Sequence, residues 1–174
     1  MEIRELLKLV SLLLQYPDEE IYSLEWQPYL SHVKNQEIVE NLNAFGDYFR
    51  GSTLDILQEN YVQTFDFNEK ANLYLTYSKL GDEKKRGQAL AELKEIYKFA
   101  GFELESNELP DYLPLLLEFV SHVDEKISID LLSRFRDTIE QTQRVLAGEN
   151  SPYAALLKGL LIIIDHFILK EVLL

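Results

Sequence analysis

Three short stretches hold most of the side chains in this sequence that could do chemistry. Tyr61-Val62-Gln63-Thr64-Phe65-Asp66-Phe67 sets one carboxylate between two aromatic rings, with a third ring a turn or so earlier. A carboxylate flanked by buried rings needs a partner or must face a cleft. Lys84-Lys85-Arg86-Gly87 begins a helical stretch with three cations. Glu108-Leu109-Pro110-Asp111-Tyr112-Leu113-Pro114 is an acidic elbow in which the two prolines fix chain direction and remove backbone donors. Glu108, Asp111 and Glu118, together with Tyr112 and Leu113, have the composition of a groove with an apolar floor and an acidic rim. Such a groove suits a short amphipathic peptide carrying Arg or Lys, with apolar residues as anchors and carboxylates selecting the charge. Arg86, followed by Gly87 where another segment can approach closely, is expected to fork onto a carboxylate such as Asp66 or Asp111. Plainer readings stand beside these: Phe65 and Phe67 as core residues, the lysines and acids as a solvated surface.

Enzyme chemistry finds little support. The three histidines, His32, His122 and His166, are preceded three residues earlier by Tyr29, Phe119 and Ile163, so the Glu-x-x-His pairs of a di-iron carboxylate bundle are missing. Glu118 and His122 stand one turn apart as a lone pair, which reads as a surface hydrogen bond. No Gly-x-Ser-x-Gly occurs, and the seven glycines are scattered singly, without a phosphate-cradling loop. Cysteine is absent, which removes disulfides, thiolate nucleophiles and the usual ligands of structural zinc or iron–sulfur clusters. The expectation is a protein that is not an enzyme, binds no metal and holds no cofactor stably.

Charge narrows the partners. The net charge is −13, a field that repels nucleic acid and anionic lipid and attracts cations. It is unevenly spread: residues 17–69 carry −9, residues 70–98 carry +3 and residues 99–125 carry −7, while the two ends sum to zero. The N-terminal apolar run starts after Glu2 and Glu5 and is broken by Lys8, with no small-residue cleavage site, so it reads as a helix and not a signal peptide. Leu160–Ile164, between Lys158 and Asp165, is too short to span a bilayer. A cytoplasmic protein that neither inserts in a membrane nor binds nucleic acid is expected.

Almost every segment that must position these residues reads as amphipathic helix. Ile3, Leu6, Leu7, Val10, Leu13 and Leu14 share one helical face, and Tyr16-Pro17 ends it. Further helices are predicted after Pro17, around Ile38–Phe49, from Ser52 or Thr53 to Tyr61, and through Leu73 and Tyr77 to Gly81. Trp26-Gln27-Pro28 is expected to break the second, and residues 64–68 to interrupt helicity. Asp82 should cap a long helix closed by Gly101, Pro114 should open the next, and Ser128 should cap one closed by Gly148. The last, from Ser151-Pro152, is apolar on nearly all sides between Leu156 and Ile168, which predicts a central buried helix. The fold class is all-α: a helical bundle forming a single domain over residues 1–174.

With those elements placed, a family resemblance becomes visible. Tyr61–Phe67 running on through Asn68-Glu69-Lys70-Ala71-Asn72-Leu73-Tyr74-Leu75-Thr76-Tyr77 resembles the NarJ-type nitrate reductase molybdenum cofactor assembly chaperones. Gly81-Asp82, Arg86-Gly87-Gln88-Ala89-Leu90, Ala100-Gly101-Phe102-Glu103 and the elbow with Glu118-Phe119 are similar in the same order, as is Leu13-Leu14-Gln15-Tyr16-Pro17-Asp18-Glu19 near the start. The wider group comprises the redox-enzyme maturation chaperones, whose elbow usually reads Glu-x-Pro-Asp-His. Tyr112 stands where that His is expected, which fits the nitrate reductase branch and means no role of the His carries over.

The resemblance implies an all-helical private chaperone for respiratory nitrate reductase. It would bind the N-terminal segment of the catalytic subunit, a remnant of a twin-arginine-like leader, and hold the apoenzyme open for insertion of molybdenum guanine dinucleotide. That cofactor belongs to the client. Membrane docking would be delayed until loading, and the chaperone would not join the final enzyme. The expected contacts are Tyr61, Phe65, Phe67, Tyr112 and Leu113 on the peptide's apolar face, and Asp66, Glu108, Asp111 and Glu118 on its basic residues, with Arg86 orienting one acid. The rival reading is a generic helical adaptor for a basic amphipathic peptide of an unrelated partner. Either a monomer or a helix-exchanged dimer is compatible with a bundle of this kind.

Overall fold

The computed structural model describes residues 2–77, 83–104 and 108–172. Its elements in chain order are α1 (Ile3–Leu13), α2 (Glu19–Tyr22), a 3-10 turn (Gln27–His32), α3 (Gln36–Gly51), α4 (Leu54–Tyr61), a π turn (Val62–Asp66), α5 (Glu83–Phe99), α6 (Leu113–His122), α7 (Glu125–Gly148) and α8 (Tyr153–Val172). Among the described residues there is no strand, and the all-α class holds. None of these helices is long and apolar enough to cross a membrane.

The starts of the helices follow local chemistry. Asp18, Asn35 and Thr53 each accept a backbone N–H in the first turn of α2, α3 and α4. Glu2 and Glu5 form a reciprocal capping box on α1. Two helix boundaries differ from expectation. Asp124, not Ser128, caps α7 by accepting from Lys126 N at 2.9 Å. Ser128 lies inside the helix, and its hydroxyl donates to the Val120 carbonyl at 2.8 Å, tying α7 to the end of α6. At the other end of α7 the left-handed residue is Asn150 (φ 55°), while Gly148 is still helical. Gly101 closes α5 as expected, with φ 75°.

The core forms around α8, which lies against α7, α3 and α1. Leu156, Leu157, Leu160, Ile163 and Ile164 are all fully buried there, so the all-round apolar pattern does mark a central helix. α1 and α6 make a second extensive pairing, fastened by Arg4, whose guanidinium donates to the carbonyls of Val120, Ser121 and Val123. The α3–α8 crossing is close: a Cβ on Gly159 would lie 3.3 Å from Leu42. In contrast, the residues expected as a plain break at Trp26–Pro28 form the 3-10 turn, which lays Trp26 (5% exposed) and Gln27 over Gly46 of α3.

The region between α4 and α5 departs most from expectation. Helicity does not stop at Thr64. It continues as a π turn, with Phe67 N bonded to the Val62 carbonyl at 3.2 Å. The helix expected through Leu73 and Tyr77 is absent. Ala71, Leu73 and Leu75 point inward while Asn72 and Tyr74 are half-buried, an alternation of period two. Asparagine side chains explain it: Asn68 Oδ1 accepts from Lys70 N at 3.1 Å, and Asn72 Oδ1 from Tyr74 N at 3.0 Å, competing with helical hydrogen bonds. The stretch then pairs with the elbow. Leu75 N donates to the Asp111 carbonyl at 3.0 Å and Leu113 N to the Leu73 carbonyl at 2.8 Å, an antiparallel bridge centred on Tyr74 and Tyr112. The expected stop at Gly81 and cap at Asp82 lie outside the described residues.

Candidate functional site

Four segments distant in sequence meet at one cleft: the residues after α1, the end of α4 with its π turn, the bridged stretch 72–77 and the elbow. The extra residue of the π turn decides what each ring does. Phe65 turns inward (5% exposed) against Tyr61 and Tyr153, at ring separations of 5.0 and 4.8 Å, whereas Asp66 and Phe67 face solvent, Phe67 at 75% exposure. Asp66 therefore sits beside one buried ring, not between two.

Tyrosines frame the cleft. The Tyr61 hydroxyl donates to the Leu14 carbonyl at 3.2 Å and pairs with the Tyr112 hydroxyl at 2.9 Å. Tyr16 meets Tyr61 edge-on at 5.6 Å, and Tyr74 lies 5.4 Å from Tyr112. The Tyr74 hydroxyl donates to Glu108 Oε2 at 2.9 Å, fixing that carboxylate at the mouth. Burial pushes the Tyr61 hydroxyl well above its ordinary range, with the Tyr112 hydroxyl adding to the effect. Burial and then the Glu108 hydrogen bond do the same for Tyr74, and burial raises Tyr112. All three remain neutral hydroxyls at physiological pH.

The cleft comprises three adjoining hollows. The middle one, about 190 Å³, is lined by Tyr16, Tyr61, Phe65, Asp66, Leu73, Tyr74, Glu108 and Tyr112. One neighbour, about 410 Å³, shares Tyr16, Glu108 and Tyr112 with it and adds Gln15, Asp18, Pro114, Leu115 and Glu118. The other, about 260 Å³, shares Phe65, Asp66 and Tyr74 and adds Asn68, Glu69, Asn72 and Tyr77. Among the described residues, Asp18, Asp66, Glu69, Glu108 and Glu118 thus give the lining five carboxylates, and no described Lys, Arg or His lines any of the three hollows.

Of the expected contact residues, Tyr61, Phe65, Asp66, Glu108, Tyr112 and Glu118 are brought together here. Phe67 stands outside the lining as an exposed ring. Leu113 (2% exposed) belongs to the core. Asp111 is fully buried and so forms no part of an acidic rim. Arg86 selects Asp111 over Asp66, with the guanidinium 4.0 Å from Asp111 Oδ2. Gly87 has open space around it, and among the described residues no segment approaches there. Tyr16, Asp18, Glu69, Tyr74 and Tyr77 are the further rings and acids of the lining, and sequence reasoning missed them. The first two read only as a helix stop and start, and the last two were assigned to a helix that does not form. The lone Glu118–His122 pair also changes character: His122 Nδ1 contacts the Glu118 backbone carbonyl at 2.9 Å, not its carboxylate.

Ser121 Oγ lies 2.8 Å from His122 Nδ1, but its hydroxyl is also 2.6 Å from the Glu118 carbonyl, and among the described residues no carboxylate orients the imidazole. Among the described residues no group of His, Asp and Glu is placed to hold a metal ion. An acidic, tyrosine-walled cleft can take a cationic chain, with rings covering its apolar parts.

Comparison with known proteins gives this geometry a context. Residues 33–157 match the family described as nitrate reductase delta subunit. The chain is 34% identical to the nitrate reductase molybdenum cofactor assembly chaperone NarJ of Bacillus subtilis, over 93% of this chain and 89% of that protein. It is 30% identical to NarJ of Escherichia coli, over 89% of this chain and 67% of that one. A crystal structure of a protein described as a redox enzyme maturation protein from Archaeoglobus fulgidus superposes with a TM-score of 0.70, covering 95% of both chains at 24% identity, a likeness of fold.

Proposed function

The chain belongs to the nitrate reductase delta subunit family, and from that membership we propose that it is an assembly chaperone of nitrate reductase and not an enzyme. Its client is the catalytic subunit. It binds the N-terminal segment of the apoenzyme in the cytoplasm, assists loading of the molybdenum cofactor, which stays with the client, and delays docking on the membrane until loading is complete. It holds no cofactor of its own and leaves the finished enzyme.

The observation that carries the peptide-binding part is the cleft, whose described lining holds five carboxylates and a tyrosine wall and no cation. A peptide entering it buries apolar side chains against Tyr16, Tyr74 and Tyr112 and sets basic residues against Glu108, Asp66 and Glu118. Truncating a true anchor costs about 1–3 kcal/mol of binding. Calorimetric titration with a peptide of the catalytic subunit's N-terminus, against a composition-matched scramble at two salt concentrations, tests the reading. Sequence-dependent binding that weakens but survives in high salt is expected, with affinity lowered by Glu108→Gln. Equal binding of both peptides, abolished by salt, would reduce the cleft to a nonspecific cation trap. A generic adaptor would bind other basic amphipathic helices as tightly as the nitrate reductase peptide.

A further inference from the structure

Asp111 sits at the centre of the elbow yet is 0% exposed, so it cannot meet a peptide's charge at the surface. Its bonding shows what it does instead. Oδ2 accepts from Thr76 N at 3.0 Å and from the Thr76 hydroxyl at 2.6 Å. The same hydroxyl oxygen accepts from Arg86 Nε at 3.3 Å, and the Arg86 guanidinium lies over the Tyr77 ring at 5.5 Å. Thr76 is therefore a relay, receiving from Arg86 and donating to Asp111. The backbone repeats the tie, since the Asp111 carbonyl accepts from Leu75 N. Next along the elbow, the Pro110 carbonyl is held by the buried Tyr97 hydroxyl at 2.7 Å.

Each of these groups adjoins a cleft residue. Tyr74 and Tyr77, which line the cleft, flank Thr76 in the bridged stretch, and Tyr112 follows Asp111 directly. Apart from one turn, in which Tyr77 N donates to the Tyr74 carbonyl at 3.1 Å, no helical hydrogen bond is made within residues 72–77, so beyond the burial of Leu73 and Leu75 their position depends on the elbow. We propose that Asp111, Thr76 and Arg86 form a clamp that positions the Tyr74–Tyr77 wall of the cleft, and that all three serve peptide recognition only through that placement. The binding part rests on the peptide reading above; the clamp itself does not.

Position and charge make opposite predictions here. If charge alone counted, removing the Arg86 cation from beside an acidic cleft would tighten binding of a basic peptide. The clamp requires Arg86→Gln to weaken it. Thr76→Val removes the relay hydroxyl and changes no charge, while Thr76→Ser keeps it.

Two measurements on the full chain decide. Without peptide, hydrogen exchange of the amides at Leu75, Thr76 and Leu113 should quicken by roughly tenfold in Thr76→Val and Arg86→Gln, with the α8 amides unchanged and Thr76→Ser like the parent. With the basic peptide as probe, both disruptive variants should lose about fivefold or more in affinity while the salt dependence stays that of the parent, and Thr76→Ser should restore it. Unaltered exchange in both disruptive variants would overturn the clamp, as would tighter binding by Arg86→Gln. If the parent itself ignores the peptide, the client reading falls, and the exchange measurement still judges the clamp.

Discussion

The buried hydroxyls link the cleft to the protein's pH range. Tyr61, Tyr74, Tyr97 and Tyr153 all titrate well above the ordinary phenol value of 10.0, each chiefly because burial disfavours the phenolate. A group whose folded pKa is raised binds its proton more tightly when folded. Its stabilising effect is complete below about pH 10, the unfolded value, and is lost as pH climbs above it. Cooperative unfolding in alkali is the expected outcome. In an absorbance titration, the buried phenolates should appear together with loss of helical circular dichroism. Tyr61→Phe tests the central hydroxyl alone. It strips the Leu14 carbonyl and the Tyr112 hydroxyl of one partner each and should cost about 1 kcal/mol in denaturant unfolding.

Two helical glycines separate intrinsic preference from fit. Gly87 in α5 has nothing within 4 Å of a would-be Cβ, so Gly87→Ala should stabilise by about 0.5–1 kcal/mol through helix propensity. Gly46 in α3 faces Gln27 and Trp26, with the Trp26 ring 2.9 Å from a would-be Cβ. Gly46→Ala must push the 3-10 turn away and should destabilise by about 1–3 kcal/mol despite the same propensity gain. Thermal melts of the pair should move in opposite directions. This element scale also shows what the sequence could reveal. Apolar spacing of 3.6 placed α1, α3, α6, α7 and α8, because each buries an apolar stripe, and that of α8 is wide enough to bury Leu156, Leu157, Leu160, Ile163 and Ile164 fully. The same rule misassigned residues 71–77, where Ala71, Leu73 and Leu75 alternate and two asparagines divert the backbone. Residue type identified Tyr61, Phe65 and Tyr112 among the rings of the cleft and Asp66, Glu108 and Glu118 among its acids. It could not tell Asp111 from Glu108, since burial depends on the bridge between two segments more than thirty residues apart.

At the scale of the whole molecule the charge of −13 and the central apolar helix act in different ways. The charge is long-ranged and screened, so it sets how fast a basic client arrives more than how long it stays. The helix is short-ranged and decisive for the fold. Leu160→Ala, at a fully buried position, should cost about 2–5 kcal/mol in denaturant unfolding. The location of α8 also imposes a timetable. The ribosome delivers α1, α3 and α7 before residues 153–172 exist, and each waits with an apolar face turned toward a neighbour not yet made. At roughly 5–20 residues per second, α1 waits on the order of ten seconds or more. Folding is thus held back until residues 153–172 have been made. A nascent chain stalled before Tyr153 should stay open to proteolysis, and one released past Phe167 should resist it.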